Sequence, residues 1–300
     1  MTDLINWPYR SMPLEFDLSL EPHYGVAERL SPRIERLLAN NPGPFTFRGT
    51  GVYIVGGGGH VAVIDPGPDL PEHIEAMKRA LNGRAVSHIL ITHTHKDHSP
   101  AAGPLKQWSG ARTYGFGPHP EGGDAEEGGD HVFVPDIAVR DGDVIAGEGF
   151  TIACVHTPGH TANHMCYALA EENALFTDDH VMGWSTSVIA PPDGDMGDYL
   201  MSLEKLIARN DSTLYPTHGS PIREPAPLLR AYLAHRHMRE TQILAALGQG
   251  ENTIAGMVAR LYAGLNPALM PAAALTVRAH LDHLLDEGKV FREGERYRRA

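Results

Sequence analysis

Short apolar runs separated by glycine-rich turns dominate the chain from residue 45 to residue 220. Runs of this kind, rich in β-branched residues, are typical of buried strands. They predict strands at 45–47, 51–55, 60–64, 86–92, 111–116, 132–134, 144–146, 151–156, 165–169, 174–177 and 213–215. Helical periodicity and capping residues predict helices at 71–82, 100–108 and 198–209. Strand pairs followed by mixed strand–helix units indicate an α/β sandwich, with two sheets and helices outside them.

The two ends of the chain have a different texture. Residues 1–40 are rich in proline and charge, and they contain one predicted helix near 27–39. Beyond Pro225, strand signals give way to three predicted helices and then a hairpin around Glu293-Gly294; the helices are at 226–247, 253–264 and 271–287. Three helices followed by a terminal hairpin are typical of a small winged helix. We therefore predict two domains, 1–225 and 226–300.

Composition narrows the class of protein. A hydrophobic content of 42% in 300 residues is enough for a large core. Since no apolar run is long enough to span a bilayer and the first residues lack the pattern of a signal peptide, we expect a cytoplasmic protein with no membrane partner. The two cysteines, Cys154 and Cys166, are too few for a disulfide framework, and we expect free thiols.

The net charge of −12 is unevenly distributed. Residues 221–300 contain 11 Lys and Arg against 8 Asp and Glu, which leaves 14 against 29 in residues 1–220. Much of this acidity lies in residues 121–130, which we expect to form a solvated loop. An acidic body disfavours non-specific binding to nucleic acid or to an anionic membrane, because such binding depends on clustered Lys and Arg.

One short segment, Ile91-Thr-His-Thr-His-Lys-Asp-His-Ser99, carries three imidazoles and a carboxylate within six positions. Side chains at 93 and 95 lie on one side of an extended segment. Ser99-Pro100 is a typical helix start, so Asp97 and His98 are expected in the turn between strand and helix. All four side chains then face the same point. The alternative is a polar loop that is rich in histidine by coincidence; we predict a metal site with a catalytic role.

Three later loops add histidine and aspartate, each directly after a predicted strand. Their sequences are Thr157-Pro-Gly-His160, Thr177-Asp-Asp-His180 and Pro216-Thr-His-Gly219. Asp65 occupies the same position after the strand 60–64. Strand-end loops are where open α/β folds usually keep their chemistry. Any one of these loops is a weak signal, but together with the first cluster they predict one composite site.

These motifs, in this order, resemble those of the metallo-β-lactamase superfamily over residues 45–220. The resemblance implies an αββα sandwich that binds two metal ions. One ion is expected at His93, His95 and His160. The second is expected at Asp97, His98 and His218, and Asp179 bridges the two. Nitrogen and oxygen ligands without cysteine suit two Zn²⁺, with Mn²⁺ or Fe as alternatives.

The resemblance also implies roles for individual residues. Asp97 and Asp179 are expected to be catalytic, with Asp97 orienting a metal-bridging hydroxide or managing its proton. Asp65 is expected to support the ligand loop. His164 and His180 are candidates for contacting the substrate or for supporting the ligands. The family usually has glycine before the bridging aspartate, so Asp178 is a departure from its pattern.

The substrate is less well defined than the reaction. The resemblance implies hydrolysis of an ester, a thioester or a phosphodiester, and fold alone does not choose among them. The C-terminal segment resembles the winged helix of the lactamase-β-like subgroup, whose characterised animal member is an endoribonuclease on single-stranded RNA. A single-stranded RNA endoribonuclease and a non-hydrolytic oxidoreductase or scaffold are therefore the alternatives. The expected partners are a small molecule or RNA, with self-association through the C-terminal domain.

Overall fold

The computed structural model describes residues 14–120 and 128–300. Residues 121–127, most of the expected acidic loop, lie outside the described residues. Within the described part, two cysteines are free and buried, as expected. None of the helices described is both long and apolar enough to cross a membrane.

The first sheet contains seven strands that lie side by side in chain order. They are β1 (Ala27–Arg29), β2 (Ile34–Leu38), β3 (Gly51–Val55), β4 (His60–Ile64), β5 (Ala85–Leu90), β6 (Arg112–Gly115) and β7 (Ile137–Ala138). The first four strands pair antiparallel, and β4 to β7 pair parallel. Helices α1 (Pro71–Leu81) and α2 (Ala102–Ser109) form the connections between the parallel strands β4, β5 and β6.

The second sheet contains six strands in the order β13-β12-β11-β10-β9-β8. They are β8 (Val144–Gly147), β9 (Phe150–His156), β10 (Met165–Leu169), β11 (Ala174–Phe176), β12 (Thr213–Tyr215) and β13 (Ile222–Arg223). The pair β11–β12 is parallel, and helix α3 (Met196–Arg209) connects its two strands. The other neighbouring strands pair antiparallel.

Strand periodicity assigns side chains to three apolar layers. In β3, Tyr53 and Val55 face the core between the two sheets, whereas Val52 and Ile54 face the layer that contains α1 and α2. This alternation is the two-residue period of a strand that is buried on both faces. The outer face of the second sheet packs on α3. The result is the predicted αββα sandwich.

The C-terminal part contains α4 (Ala226–Gly248), α5 (Ile254–Leu261) and α6 (Met270–Asp286), followed by the hairpin β14 (Val290–Glu293) and β15 (Arg296–Arg299). This arrangement confirms the predicted winged helix. Helix α4 belongs to two cores: Tyr232 packs with the second sheet and α3, whereas Ile243 packs with α5, α6 and the hairpin. The boundary at 225/226 stays a prediction.

Three predicted elements are wrong. The helix near 27–39 is replaced by β1 and β2, because Pro32 disfavours a helix at Ser31 and because Ile34 and Leu37 are buried as part of the first sheet. Residues 45–47 form a turn with an isolated bridge between Gly43 and Phe47. Residues 132–134 are not in a strand; they follow Asp130, whose side chain accepts hydrogen bonds from the backbone of Val132 and Phe133.

Candidate metal centre

Five loops meet at one edge of the sandwich because the strands before them end there. The parallel strands β4 and β5 bring Asp65 beside the segment after Leu90, and the Asp65 amide donates to the Leu90 carbonyl at 2.9 Å. The parallel strands β11 and β12 bring Asp179 beside His218. The loop after β9 carries His160. All of the sequence-predicted site residues therefore lie in one region.

Four residues form the first ligand group: His93, His95, His160 and Asp179 each offer one atom within 4.8 Å of the others. In this group, His93 Nε2 lies 2.8 Å from His95 Nδ1. Burial is the main cause that lowers the pKa of each of the three imidazoles. The rings are thus held neutral, which is the form that binds a metal.

The second ligand group consists of Asp97, His98 and His218. Asp97 Oδ2 lies 3.2 Å from the Nε2 atoms of both histidines. Burial opposes protonation of His218, but the carboxylates of Asp179 and Asp97 outweigh it and raise its pKa to about 9. The same balance, with Asp178 and Asp97 the main opposing carboxylates, raises the pKa of His98. These carboxylates create a negative potential that favours a bound cation.

Asp179 lies between the two groups. Its Oδ1 is 3.4 Å from His218 Nε2, and its Oδ2 is 3.6 Å from His98 Nε2 and 3.9 Å from His160 Nε2. Asp179 Oδ1 and the Nε2 atoms of His98 and His160 are buried and have no hydrogen-bond partner among the described residues. Buried polar atoms are rarely left unpaired, and here they converge. The donor set of each group therefore fits a divalent metal ion, and Asp179 lies between the two groups.

The second nitrogen of two ligand rings is held by backbone carbonyls. His160 Nδ1 donates to the Val188 carbonyl at 2.7 Å, and His218 Nδ1 donates to the Gly49 carbonyl at 3.0 Å. Such contacts fix the tautomer and leave Nε2 free to bind a metal.

The turn before His160 requires glycine, since Gly159 has φ +129° and a Cβ there would lie 2.3 Å from the Cα of Tyr199.

Asp178 and Asp65 lie behind the ligands. Asp178 Oδ2 is 2.7 Å from His93 Nδ1, and its Oδ1 is 3.1 Å from His98 Nδ1. Asp65 accepts a hydrogen bond from the Thr92 amide at 2.8 Å and lies 3.3 Å from His98 Nδ1. Burial, followed by the charge of Asp178, raises the pKa of Asp65 to about 7. Sequence reasoning missed the supporting position of Asp178. The available signal was that this residue departs from the family pattern.

His164 and His180 are fully buried behind the ligands rather than facing the outside. His164 Nε2 lies 3.4 Å from Asp178 Oδ2, and its Nδ1 lies 2.9 Å from the Thr157 hydroxyl. The His180 ring is 4.5 Å from the ring of Tyr199. His164 therefore lies beside Asp178, and the two roles expected for these histidines stay predictions.

An aromatic pair borders the second ligand group. Phe47 stacks on Trp184 with ring centroids 4.8 Å apart and an interplanar angle of 11°. The pair lies near His218, because the Gly49 carbonyl holds the His218 ring and Gly219, the next residue, packs against Trp184. The contribution of Phe47 was missed, since residues 45–47 were predicted as a strand.

Comparison with known proteins agrees with this geometry. A family model described as "Metallo-beta-lactamase superfamily" matches residues 46–218, and one described as "Beta-lactamase associated winged helix domain" matches residues 253–299. An atrochrysone carboxyl ACP thioesterase of Aspergillus aculeatus is 38% identical over 74% of this chain and 67% of its own length. A lactamase-like protein of Aspergillus niger, adaB, is 32% identical over 91% of this chain and 87% of its own.

A solved structure shows the same fold over nearly the whole chain. The crystal structure of a beta-lactamase domain protein from Burkholderia ambifaria superposes with a TM-score of 0.79. The match covers 94% of this chain and 96% of the other at 21% sequence identity. The similarity extends across both the sandwich and the C-terminal part.

Proposed function

This chain belongs to the metallo-β-lactamase superfamily, and we propose that it is a hydrolase that binds two divalent ions, Zn²⁺ by preference, and cleaves an acyl thioester. One observation carries the proposal: the two ligand groups converge on Asp179. Its carboxylate lies within 3.9 Å of His160 in the first group and within 3.6 Å of His98 in the second. Imidazole and carboxylate ligands in this number suit Zn²⁺. Mn²⁺ or Fe is the alternative outcome of metal analysis.

The ions would supply a water molecule of lowered pKa and a positive charge that polarises the scissile carbonyl. Asp97 is the ligand residue best placed to handle a proton, because its side chain is 26% exposed whereas that of His98 is fully buried. The Thr50 hydroxyl donates to Asp97 Oδ2 at 3.1 Å and keeps this carboxylate oriented. A thiolate is a good leaving group, so a thioester requires no strong acid on the leaving side.

Three observations favour a thioester over RNA. The similar Aspergillus aculeatus protein is named a thioesterase. The stacked Phe47 and Trp184 offer an apolar surface beside the ligands, which suits an acyl chain. The chain carries a net charge of −12, which disfavours non-specific binding to RNA, because such binding depends on clustered Lys and Arg. Cleavage of single-stranded RNA remains the second candidate because the terminal hairpin carries three arginines in β15, Arg296, Arg298 and Arg299.

The test combines metal analysis with a substrate panel. We expect about two ions per purified chain, and hydrolysis of acyl-CoA or acyl-pantetheine thioesters in preference to a lactone, single-stranded RNA or a cephalosporin. His98→Ala should abolish the hydrolysis, since it removes a predicted ligand, while exposed His23→Ala serves as the matched control. Less than one ion per chain would overturn the metal site. Thioesterase activity that survives His98→Ala would be assigned to a contaminant.

The predicted partners follow from the same proposal. The substrate is a small-molecule thioester or a thioester on a carrier protein, and the panel distinguishes the two when both forms are included. Self-association through the C-terminal domain stays a prediction, to be checked by the mass of the protein in solution.

A further inference from the structure

Ser187 and Val188 hold two of the proposed metal-binding residues from behind. The Val188 carbonyl accepts the hydrogen bond from His160 Nδ1 at 2.7 Å. The Ser187 hydroxyl lies 2.6 Å from the carbonyl oxygen of Asp179 and 2.9 Å from that of His180. This dipeptide therefore contacts the backbone of Asp179 and the imidazole of His160, two residues of the first ligand group.

An arginine from helix α4 anchors that dipeptide. Arg236 Nη2 donates to the Ser187 carbonyl at 2.6 Å, and the guanidinium carbon lies 4.8 Å from the ring centroid of Tyr199. The Tyr199 hydroxyl donates in turn to the His180 carbonyl at 2.8 Å. Two hydrogen bonds, one from α4 and one from α3, thus reach the backbone between residues 179 and 188, and the Arg236–Tyr199 contact joins their donors.

Burying the charge of Arg236 disfavours the folded state. Arg236 is 2% exposed, and its Nε atom is buried with no hydrogen-bond partner among the described residues. A buried cation without full pairing lowers the stability of the folded state, so an apolar residue of similar size would fill the space with less penalty. A second residue of α4, Tyr232, also contacts this loop, since its hydroxyl lies 2.5 Å from the Met182 carbonyl. Helix α4 is therefore tied to this loop by polar contacts as well as apolar packing.

We propose that Arg236 is a positioning residue for the metal centre, acting through Ser187 and Val188 on Asp179 and His160. The inference rests on the proposed function and goes beyond it. It gives the C-terminal part a role in the chemistry, because α4 shares a core with α5, α6 and the hairpin. Supporting hydrogen bonds of this kind usually change metal affinity by about 10- to 100-fold when removed.

The test measures metal affinity directly. Zn²⁺ binding to the metal-stripped protein is titrated against a chromogenic chelator for wild type and for Arg236→Met, Arg236→Lys and Ser187→Ala. We expect Arg236→Met to weaken binding of at least one ion by about tenfold or more and to lower kcat with little change in KM. Arg236→Lys should restore part of the affinity because an ammonium can still donate to the Ser187 carbonyl.

The matched control is Arg239→Met, which removes an arginine from the same helix. Arg239 donates to the Leu261 carbonyl and lies over Tyr262, so its contacts are within the C-terminal part. Arg239→Met should keep the Zn²⁺ affinity of wild type. The visible spectrum of the Co²⁺-substituted protein should change in Arg236→Met and not in Arg239→Met, which a purely structural role would not produce.

The outcomes are separable. Wild-type Zn²⁺ affinity and an unchanged Co²⁺ spectrum in Arg236→Met would overturn the positioning role, as would equal losses in Arg236→Met and Arg239→Met. If Arg236→Met does not fold, Ser187→Ala and Arg236→Lys decide, since unchanged affinity in both contradicts the inference. A wild-type protein that binds no Zn²⁺ or hydrolyses no thioester would instead be a failure of the proposed function.

Discussion

His93 Nδ1 lies 2.7 Å from Asp178 Oδ2, while Nε2 of the same ring lies 2.8 Å from His95 Nδ1. One imidazole thus links a buried carboxylate to the first ligand group. The Asp178 carboxylate accepts a hydrogen bond from the Nδ1–H group. This contact leaves the Nε2 lone pair for a metal and increases the basicity of Nε2. Asp178 adopts φ +50°, a left-handed conformation that favours glycine, so this carboxylate occupies a position that L-residues rarely take.

Replacing Asp178 tests the importance of that carboxylate. Asp178→Gly removes the carboxylate but accepts the positive φ, and Asp178→Asn keeps the size without the charge. We expect both to weaken Zn²⁺ affinity by about 10- to 100-fold, because His93 and His98 lose the charged carboxylate that faces both of their Nδ1 atoms. Competition titration measures the effect. Wild-type affinity in Asp178→Gly would show that Asp65 alone orients the ligands.

Removing one ligand from each group tests the presence of two metal positions. His160→Ala removes a ligand of the first group only, and His218→Ala a ligand of the second only. Each variant should bind about one ion per chain where wild type binds about two, because the other group stays intact. Metal analysis after dialysis gives the count. Two ions in both variants would contradict the assignment of these histidines.

Metal removal should lower stability as well as activity. The chelator-treated protein retains the carboxylates of Asp97 and Asp179, which both lie close to His218, without the ions that would neutralise them. Ligands that bind the folded state raise its stability by about 2.7 kcal/mol at a hundredfold excess over Kd. We therefore expect thermal denaturation at lower temperature after chelation, reversed by added Zn²⁺. An unchanged melting temperature after chelation would be evidence that metal binding does not stabilise the folded protein.

Trp184 is expected to act on substrate binding rather than on chemistry. Trp184→Ala removes the partner of Phe47 at the rim and should raise KM for a long-chain or aromatic acyl thioester by roughly 2- to 10-fold, since an aromatic pair contributes about 0.5–1.5 kcal/mol. The kcat value should change little. An acetyl thioester serves as the control because it has little apolar surface. Equal effects on both substrates would refute a role in acyl recognition.

The C-terminal part should lose stability in mild acid because of His280. Burial lowers the pKa of His280 to about 4, against an ordinary value of 6.5. As the pH falls from 6.5 towards 4, the unfolded state binds a proton that the folded state does not, so the free energy of unfolding decreases in this window. At about 1.4 kcal/mol for each pKa unit, the loss is about 3 kcal/mol over the whole window, of which about 2 kcal/mol falls between pH 6.5 and pH 5.

Urea unfolding between pH 7 and pH 5, in the presence of a chelator, measures this effect. His280→Gln should show a shallower decrease than wild type, and exposed His23→Gln should follow wild type. Identical pH dependence in His280→Gln and wild type would assign the acid sensitivity to other groups.

Several features of this protein were predictable from local sequence. The strands around 51–55, 60–64 and 165–169 follow from short apolar runs, and these runs stay strands in the structure because both of their faces are buried. The His93–His98 segment and the strand-end positions of His160, Asp179 and His218 are also local, since a strand end determines where the next loop begins. The order of these motifs was enough to predict the family and the sandwich.

Other features were decided by tertiary structure. Residues 34–38 form a strand because the edge of β3 pairs with them, although their spacing of apolar residues suits a helix. Tertiary structure also places Asp178 beside His93 and His98, which lie about 80 positions away in sequence, and Arg236 of helix α4 beside Ser187, 49 positions away. Hydrogen bonds between distant segments leave no periodic signal in a single sequence. The candidate ligands could therefore be proposed from the sequence, whereas the contacts that orient them required the fold.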